Sequence, residues 1–164
     1  MKKQTAVGQS MVEFAITIPI LLLVVLGTFE LGRAIWVYAS VTTAAREAGR
    51  YGSSVGDTDE EIPHYLDCAG IRALAEQFGA PGSVQDADVL INYDSGPETA
   101  VRGPCPVSQA SVQLGDRIVI TVTGRFTPAT YLPLLDIPEI TFISEIHRTI
   151  IKGLILGSAP VPPP

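Results

Sequence analysis

The chain has 164 residues, of which 46% are hydrophobic and only 17% charged, and its formal net charge is −6 at pH 7. A charged share below the roughly 25% of soluble domains indicates a membrane segment. The negative net charge argues against a nucleic-acid partner, which would require a basic surface.

The N-terminal region has the charge pattern of a membrane-inserted helix. Lys2 and Lys3 precede an uncharged run from Phe14 to Phe29, and no basic residue follows that run directly. By the positive-inside rule, the N-terminus stays in the cytoplasm and the remainder is exported. We therefore expect a single-pass protein of the cytoplasmic (inner) membrane, with the lipid bilayer as its partner and a span over about residues 11–29.

The helical pattern continues well beyond the membrane span. Residues 9–52 contain no strong helix breaker except Pro19, which we expect to kink or locally melt the helix. A bilayer core needs only about 20 helical residues, so this helix must project out of the membrane. Its second half carries Glu30 and Arg33, which are spaced to pair, and the aromatic residues Trp36 and Tyr38, a type that anchors helices at the interface.

A group of small residues near the end of this helix indicates a packing surface. Small side chains let another helix or a sheet approach the backbone closely. The residues are Ala44, Ala45, Ala48 and Gly49. We expect this half of the helix to pack on a sheet.

Residues 53–157 are predicted to form an extracytoplasmic domain, so the fold class is α+β, with a second helix and a three- or four-stranded antiparallel sheet. Thr58 and Glu61 are spaced as a capping box, so the second helix is expected to begin at Ile62 or Pro63 and to end at 79–82. Its expected apolar side comprises Tyr65, Leu66, Ala69, Ala73, Leu74 and Phe78.

Alternating residues predict the strands of the sheet. We expect strands over 87–93 and 139–152, and a hairpin of 111–114 with 117–126 around Gly115-Asp116. A proline-bearing connection covers 127–138, and the proline-rich tail at 158–164 is expected to be extended and disordered.

The two cysteines, Cys68 and Cys105, have two interpretations. They are either a disulfide or two buried thiols. Cys105 lies between Pro104 and Pro106 in an irregular segment, which favours a disulfide in an exported domain.

No pattern of catalytic residues is present. The only histidines are His64 and His147, and no known nucleophile, zinc or phosphate-loop motif occurs. Glu139, Glu145 and His147 are explained by strand alternation, so we predict no enzymatic activity, cofactor or metal. The acidic stretch at 57–98 is either a solvated surface or a site for calcium or a basic partner.

Glu13 is the feature that calls for a function, because a charge at the start of a membrane helix is costly and is usually retained for a role. It follows Gly8 by five residues and precedes Phe14. This spacing resembles the processing site of the type IV pilin superfamily. Together with Pro19 and the segments 29–33 and 44–51, residues 8–52 resemble the TadE-like family, which are minor pilins or pseudopilins of the tight-adherence (Flp) pilus.

The resemblance implies a function and a set of partners. A prepilin peptidase would remove residues 1–8 as a leader by cutting after Gly8, which makes Gln9 the new N-terminus. Glu13 would then pair with the N-terminus of a neighbouring subunit, and Phe14 would complete a Glu-aromatic pair. The partners would be this peptidase and other pilin or pilus-assembly subunits.

Three alternatives remain open. Glu13 can simply lie at headgroup level or help to cap the helix. The chain can be a signal-anchored extracytoplasmic binding domain that is not processed at Gly8. It can also be a secreted enzyme with a cleaved signal, although no small-x-small cleavage site follows the apolar run.

Overall fold

The computed structural model describes residues 5–129 and 138–152 and has the predicted α+β fold. The helices are α1 (Thr5–Gly52) and α2 (Cys68–Gly79), and the strands are β1 (Val89–Asp94), β2 (Gly103–Pro104), β3 (Arg117–Phe126) and β4 (Ile140–Thr149). The start of the predicted leader, residues 130–137 of the predicted connection and the predicted tail at 158–164 lie outside the described residues.

Helix α1 is one continuous helix of 48 residues that runs through Pro19. The expectation that Pro19 locally melts the helix is therefore wrong. Proline removes one backbone hydrogen bond, and a helix of this length retains the bonds on either side. Residues 9–29 form the apolar half of α1, and residues 37–52 form its packed half, which contacts the rest of the fold.

The packed half of α1 lies directly on the sheet because its contact residues are small. Ala44, Ala45 and Ala48 are fully buried. A side chain at Gly49 would overlap Ile146 of β4, so the backbone of α1 lies against that strand. The predicted role of these small residues in close approach to a sheet is confirmed.

The four strands form one antiparallel sheet in the order β2-β1-β3-β4. The inner face of β3 carries Ile118, Ile120, Val122 and Phe126, which are all buried, as the alternation predicted. Ile91 and Tyr93 of β1 extend the same core. Helix α2 completes it with Ile71, whose side chain lies against the end of α1 at Gly52.

Helix α2 begins later than the sequence predicted. Asp67 caps it by accepting a hydrogen bond from the Gly70 amide at 2.9 Å, so the predicted start at Ile62 or Pro63 is wrong. Thr58 instead accepts a hydrogen bond from Ile62 within a tight loop. The predicted apolar side is only partly correct. Tyr65 is buried and Leu66 packs against the core, but Phe78 is exposed and α2 instead buries Ile71 and Ala75.

The predicted hairpin around Gly115-Asp116 is absent. Residues 112–116 are irregular, and β3 is a central strand whose two edges pair with β1 and β4. A four-residue arm offers less pairing and less burial than either of these strands. The short strand β2 immediately precedes Cys105, in the segment that was expected to be irregular, and it pairs with the end of β1.

Gly124 provides a test of this packing. A Cβ atom at this position would overlap Val41, which is 1% exposed, and would lie 3.3 Å from the Gly82 carbonyl oxygen. We expect Gly124→Ala to destabilise the domain by about 1–3 kcal/mol, because a β-branched side chain and a backbone group cannot yield easily. The measurement is thermal unfolding of the detergent-solubilised full chain, followed by near-ultraviolet circular dichroism.

Gly32→Ala is the matched control for this substitution, since a Cβ atom there meets nothing within 4 Å. An unfolding transition of Gly124→Ala that coincides with the wild-type transition would show that α1 does not pack on β3 as described.

Candidate functional site

The predicted processing site lies on an exposed stretch of α1. A Cβ atom at Gly8 would meet nothing within 4 Å, and Gln9 is exposed. Both residues are helical, because α1 begins at Thr5. The site therefore lies clear of the folded domain.

Glu13 lies one helical turn after Gln9 on the same side of α1. The Gln9 side-chain amide donates a hydrogen bond of 3.4 Å to the Glu13 carboxylate. The Thr17 hydroxyl donates to the Glu13 backbone carbonyl at 2.7 Å. Phe14 follows Glu13 and is 66% exposed. The carboxylate is thus presented outward beside the residue that would become the N-terminus.

Among the described residues, none covers the apolar half of α1. Its most apolar window has a mean hydropathy of 2.3 and no residue buried by the rest of the fold. By length and composition this is a helix able to cross a membrane. An uncovered apolar helix of this length is unstable in water, which is consistent with membrane anchoring.

Two charges mark the point where α1 meets the domain. The predicted pair of Glu30 and Arg33 is confirmed, with 2.7 Å between the carboxylate oxygen and the guanidinium nitrogen. The Ala129 amide also donates to Glu30 at 3.1 Å. Arg33 lies over the ring of Phe126, 5.3 Å from its centroid. No local signal in the sequence could indicate the contacts with Phe126 and Ala129, because both residues are distant in the chain.

The predicted disulfide is present between Cys68 and Cys105. It ties the start of α2 to the segment that follows β2. The Tyr93 hydroxyl lies 3.1 Å from the Cys105 sulfur and donates a hydrogen bond of 2.5 Å to the Tyr65 carbonyl. Burial raises the pKa of Tyr93, so this hydroxyl remains a donor in the core.

A second tyrosine links α1 to the cap of α2. The Tyr51 hydroxyl donates a hydrogen bond of 2.6 Å to Asp67. Burial and the neighbouring Asp67 carboxylate raise the pKa of Tyr51 to about 12. The end of α1 and the start of α2 are therefore joined by a hydrogen bond that persists at neutral pH.

Two of the residues considered for catalysis, Glu145 and His147, lie on the outer face of the sheet. His147 and Glu145 are neighbours, with 3.1 Å between Nε2 and Oε1. Glu139 lies elsewhere, 3.8 Å from Arg125. Asp57, Asp59, Glu60 and Glu61 of the acidic stretch are exposed. In the described ranges, no three histidine, cysteine or acidic residues are grouped as metal ligands.

Two arginine–aspartate pairs connect β1 and its preceding turn to β3. Arg117 donates two hydrogen bonds to Asp94, at 2.6 and 2.8 Å, and Arg125 donates two to Asp88, at 2.7 and 3.0 Å. These bonds lower the pKa of both carboxyl groups and outweigh the opposing effect of burial. The sequence did not predict these pairs, because their partners are brought together only by strand pairing.

These features define a class of protein in which an N-terminal helix long and apolar enough to cross a membrane continues into an α+β domain. Within that class, the family model described as TadE-like protein matches residues 8–50, all of which lie in α1. The resemblance seen in the sequence is thereby confirmed for this segment. It suggests a pilin-like protein associated with the tight-adherence (Tad) pilus. Comparisons with curated proteins and with solved structures gave no match.

The Asp94–Arg117 pair predicts how the fold responds to acid. Because the pKa of Asp94 is lower in the folded than in the unfolded chain, its stabilising effect is present above the ordinary pKa of about 3.9. It is lost as the pH falls through the lower folded value. We expect Asp94→Asn to lower the thermal midpoint at neutral pH and to weaken its decline below about pH 4.

Asp59→Asn is the control for this experiment, since Asp59 is exposed. It should keep the wild-type midpoint and acid dependence. The measurement is the unfolding midpoint of each full-length variant from neutral pH to acid. An Asp94→Asn profile that is parallel to wild type would contradict this assignment.

Proposed function

We propose that the protein is a pilin-like subunit, a minor pilin or pseudopilin, of a tight-adherence pilus assembly. A prepilin peptidase would process it after Gly8, and the remaining chain would stay anchored in the cytoplasmic membrane with the α+β domain outside the cytoplasm. The main support for the proposal is that the family match and the apolar half of α1 lie on the same helix. The TadE-like match begins at Gly8 and extends along α1, whose apolar half is left uncovered by the described part of the domain.

Glu13 supplies the physical reason for this arrangement. After cleavage, the α-amine of Gln9 would be a positive charge at the edge of the bilayer. A charge taken out of water requires a partner, and a carboxylate one turn away on the same side of the helix is suitable. In an assembly, Glu13 of one subunit would pair with the amine of the next and so set the register between subunits.

The exposed position of Glu13 supports such a contact between subunits. Its carboxylate has a 3.4 Å contact with the Gln9 amide, a weak interaction that a charged amine would readily replace. Phe14 lies beside it and offers an apolar surface at the same level. No catalytic step by this chain is needed in this role, in which the protein is a substrate and a building unit.

Processing is tested by the intact mass of the membrane-extracted protein. We expect the mature chain to begin at Gln9 in cells with prepilin peptidase, and Gly8→Asp to keep the leader. The same mass distinguishes a free Gln9 amine from a cyclised glutamine, which has lost ammonia. Because pairing with Glu13 needs the charge, we expect the free amine.

Thr5→Asp serves as the control, since it adds the same charge to the leader and leaves Gly8 in place. It should be processed normally. Retention of Met1 in the wild-type protein would exclude processing and favour the alternative of a signal-anchored extracytoplasmic binding domain.

The role of Glu13 is tested separately from processing. We expect Glu13→Gln to be cut after Gly8 but to be largely lost from sheared pilus fractions, because the neutral amide cannot balance the amine of a neighbouring subunit. Immunoblots of pilus and membrane fractions measure this distribution. Thr17→Val is the control, since the Thr17 hydroxyl contacts only the backbone carbonyl of Glu13 and not its carboxylate. Pilus incorporation of Glu13→Gln at the wild-type level would refute the pairing.

A further inference from the structure

The two sides of α1 differ in where their apolar surface ends. Between Phe14 and Ala45, the only charged residues are Glu30 and Arg33. Both are drawn towards the domain, where Glu30 accepts a hydrogen bond from Ala129 and Arg33 lies over Phe126. On the domain side, the apolar surface therefore ends at Glu30.

The side of α1 that carries Phe29 and Trp36 lies about 100° around the helix from Glu30, and its exposed apolar residues continue for nearly two further turns. Phe29 and Trp36 are 63% and 65% exposed, and Gly32 between them leaves a shallow groove. We call these three residues the uncovered flank. Thr28 and Arg33 border this groove. After Arg33, Thr43 is the next exposed polar residue along this stripe, and the next charges in the chain are Arg46 and Glu47.

On the two sides of α1, the apolar surface reaches two different depths in a bilayer. From Met11 to Glu30, the helix rises about 30 Å, which is the thickness of the hydrocarbon core. From Met11 to Trp36, it rises about 38 Å, which is roughly the hydrocarbon core plus one headgroup layer. Aromatic residues on the longer side are of the type that favours the interface.

We propose that the uncovered flank lies against phospholipid in the outer headgroup layer, so that the base of the domain stands in that layer without a stalk. Glu30 and Arg33 enter the same layer only because the domain holds them at Phe126 and Ala129. The occupant of the flank is lipid, because its surface is continuous with the apolar half of α1. The inference rests on the membrane-anchoring part of the proposed function and does not require processing.

The experiment uses Trp36, which is the only tryptophan of the chain. Full-length protein is placed in phosphatidylcholine vesicles whose lipids carry bromine either near the headgroup or near the chain end. We expect Trp36 fluorescence to be quenched more strongly by the shallow bromine than by the deep one, and to be protected from aqueous iodide.

Two further variants each carry a single tryptophan at another position of α1, in a Trp36→Phe background. Together with wild-type Trp36, they report three depths along one side of the helix. Phe29→Trp and Thr43→Trp lie seven residues to either side of Trp36, about 10 Å deeper and shallower along the helix. We expect the deep bromine to quench position 29 more than it quenches position 36. Position 43 should be quenched by iodide several-fold more than position 36.

Two other fluorescence results would contradict the proposal. Iodide quenching of Trp36 as strong as that of position 43 would mean that the domain stands above the membrane on a stalk. Protection of Trp36 from both bromine and iodide would mean that protein, such as a second copy, covers the flank. The intact mass reports processing independently of the fluorescence. If the mature chain begins at Gln9 but the quenching does not follow the expected order of depths, only this inference is refuted. If the quenching follows the expected order but the protein keeps Met1, only the pilin-like function is refuted.

Discussion

The close contact of α1 with the sheet is the constraint on which the rest of the structure depends. Ala44, Ala45 and Ala48 are buried, and Gly49 leaves no room for a side chain beside Ile146. Gly124 allows the same closeness at β3, where Val41 occupies the space of a missing side chain. One helix therefore supplies both part of the core and an apolar half that the described part of the domain does not cover.

A continuous helix with two environments requires a defined boundary between them. Glu30 and Arg33 provide it, since they pair with each other and with the edge of the domain. Placing a carboxylate and a guanidinium in contact reduces the cost of holding either near a bilayer. The boundary is thus a property of the folded chain, because an isolated α1 would lack the Ala129 amide and the Phe126 ring.

Local patterns predicted those parts of the fold that depend on local chemistry. The length of α1, the Glu30–Arg33 pair and the buried face of β3 follow from helical spacing and strand alternation, and all are confirmed. The predicted hairpin failed because β3 prefers two long partners that lie far away in the chain. A turn signal such as Gly115-Asp116 carries no information on such competition.

The start of α2 shows a different limit of sequence reasoning. Thr58 and Glu61 have the spacing of a capping box, but Asp67 caps the helix, because Tyr51 at the end of α1 fixes its carboxylate by a hydrogen bond. A tertiary contact therefore decides between two candidate caps. The same principle applies to the N-terminal site, where Gly8, Gln9, Glu13 and Phe14 remain a prediction because their proposed partners are other proteins.

Glu13 and the sheet are connected by a helix that has no interruption. Pro19 does not break α1, and its packed half is fixed to β3 and β4 through small residues. A contact that holds Glu13 against a neighbouring subunit would therefore also set the height and rotation of the domain. Because the charged boundary at Glu30 belongs to the same helix, the depth of the anchor and the position of the domain cannot vary independently.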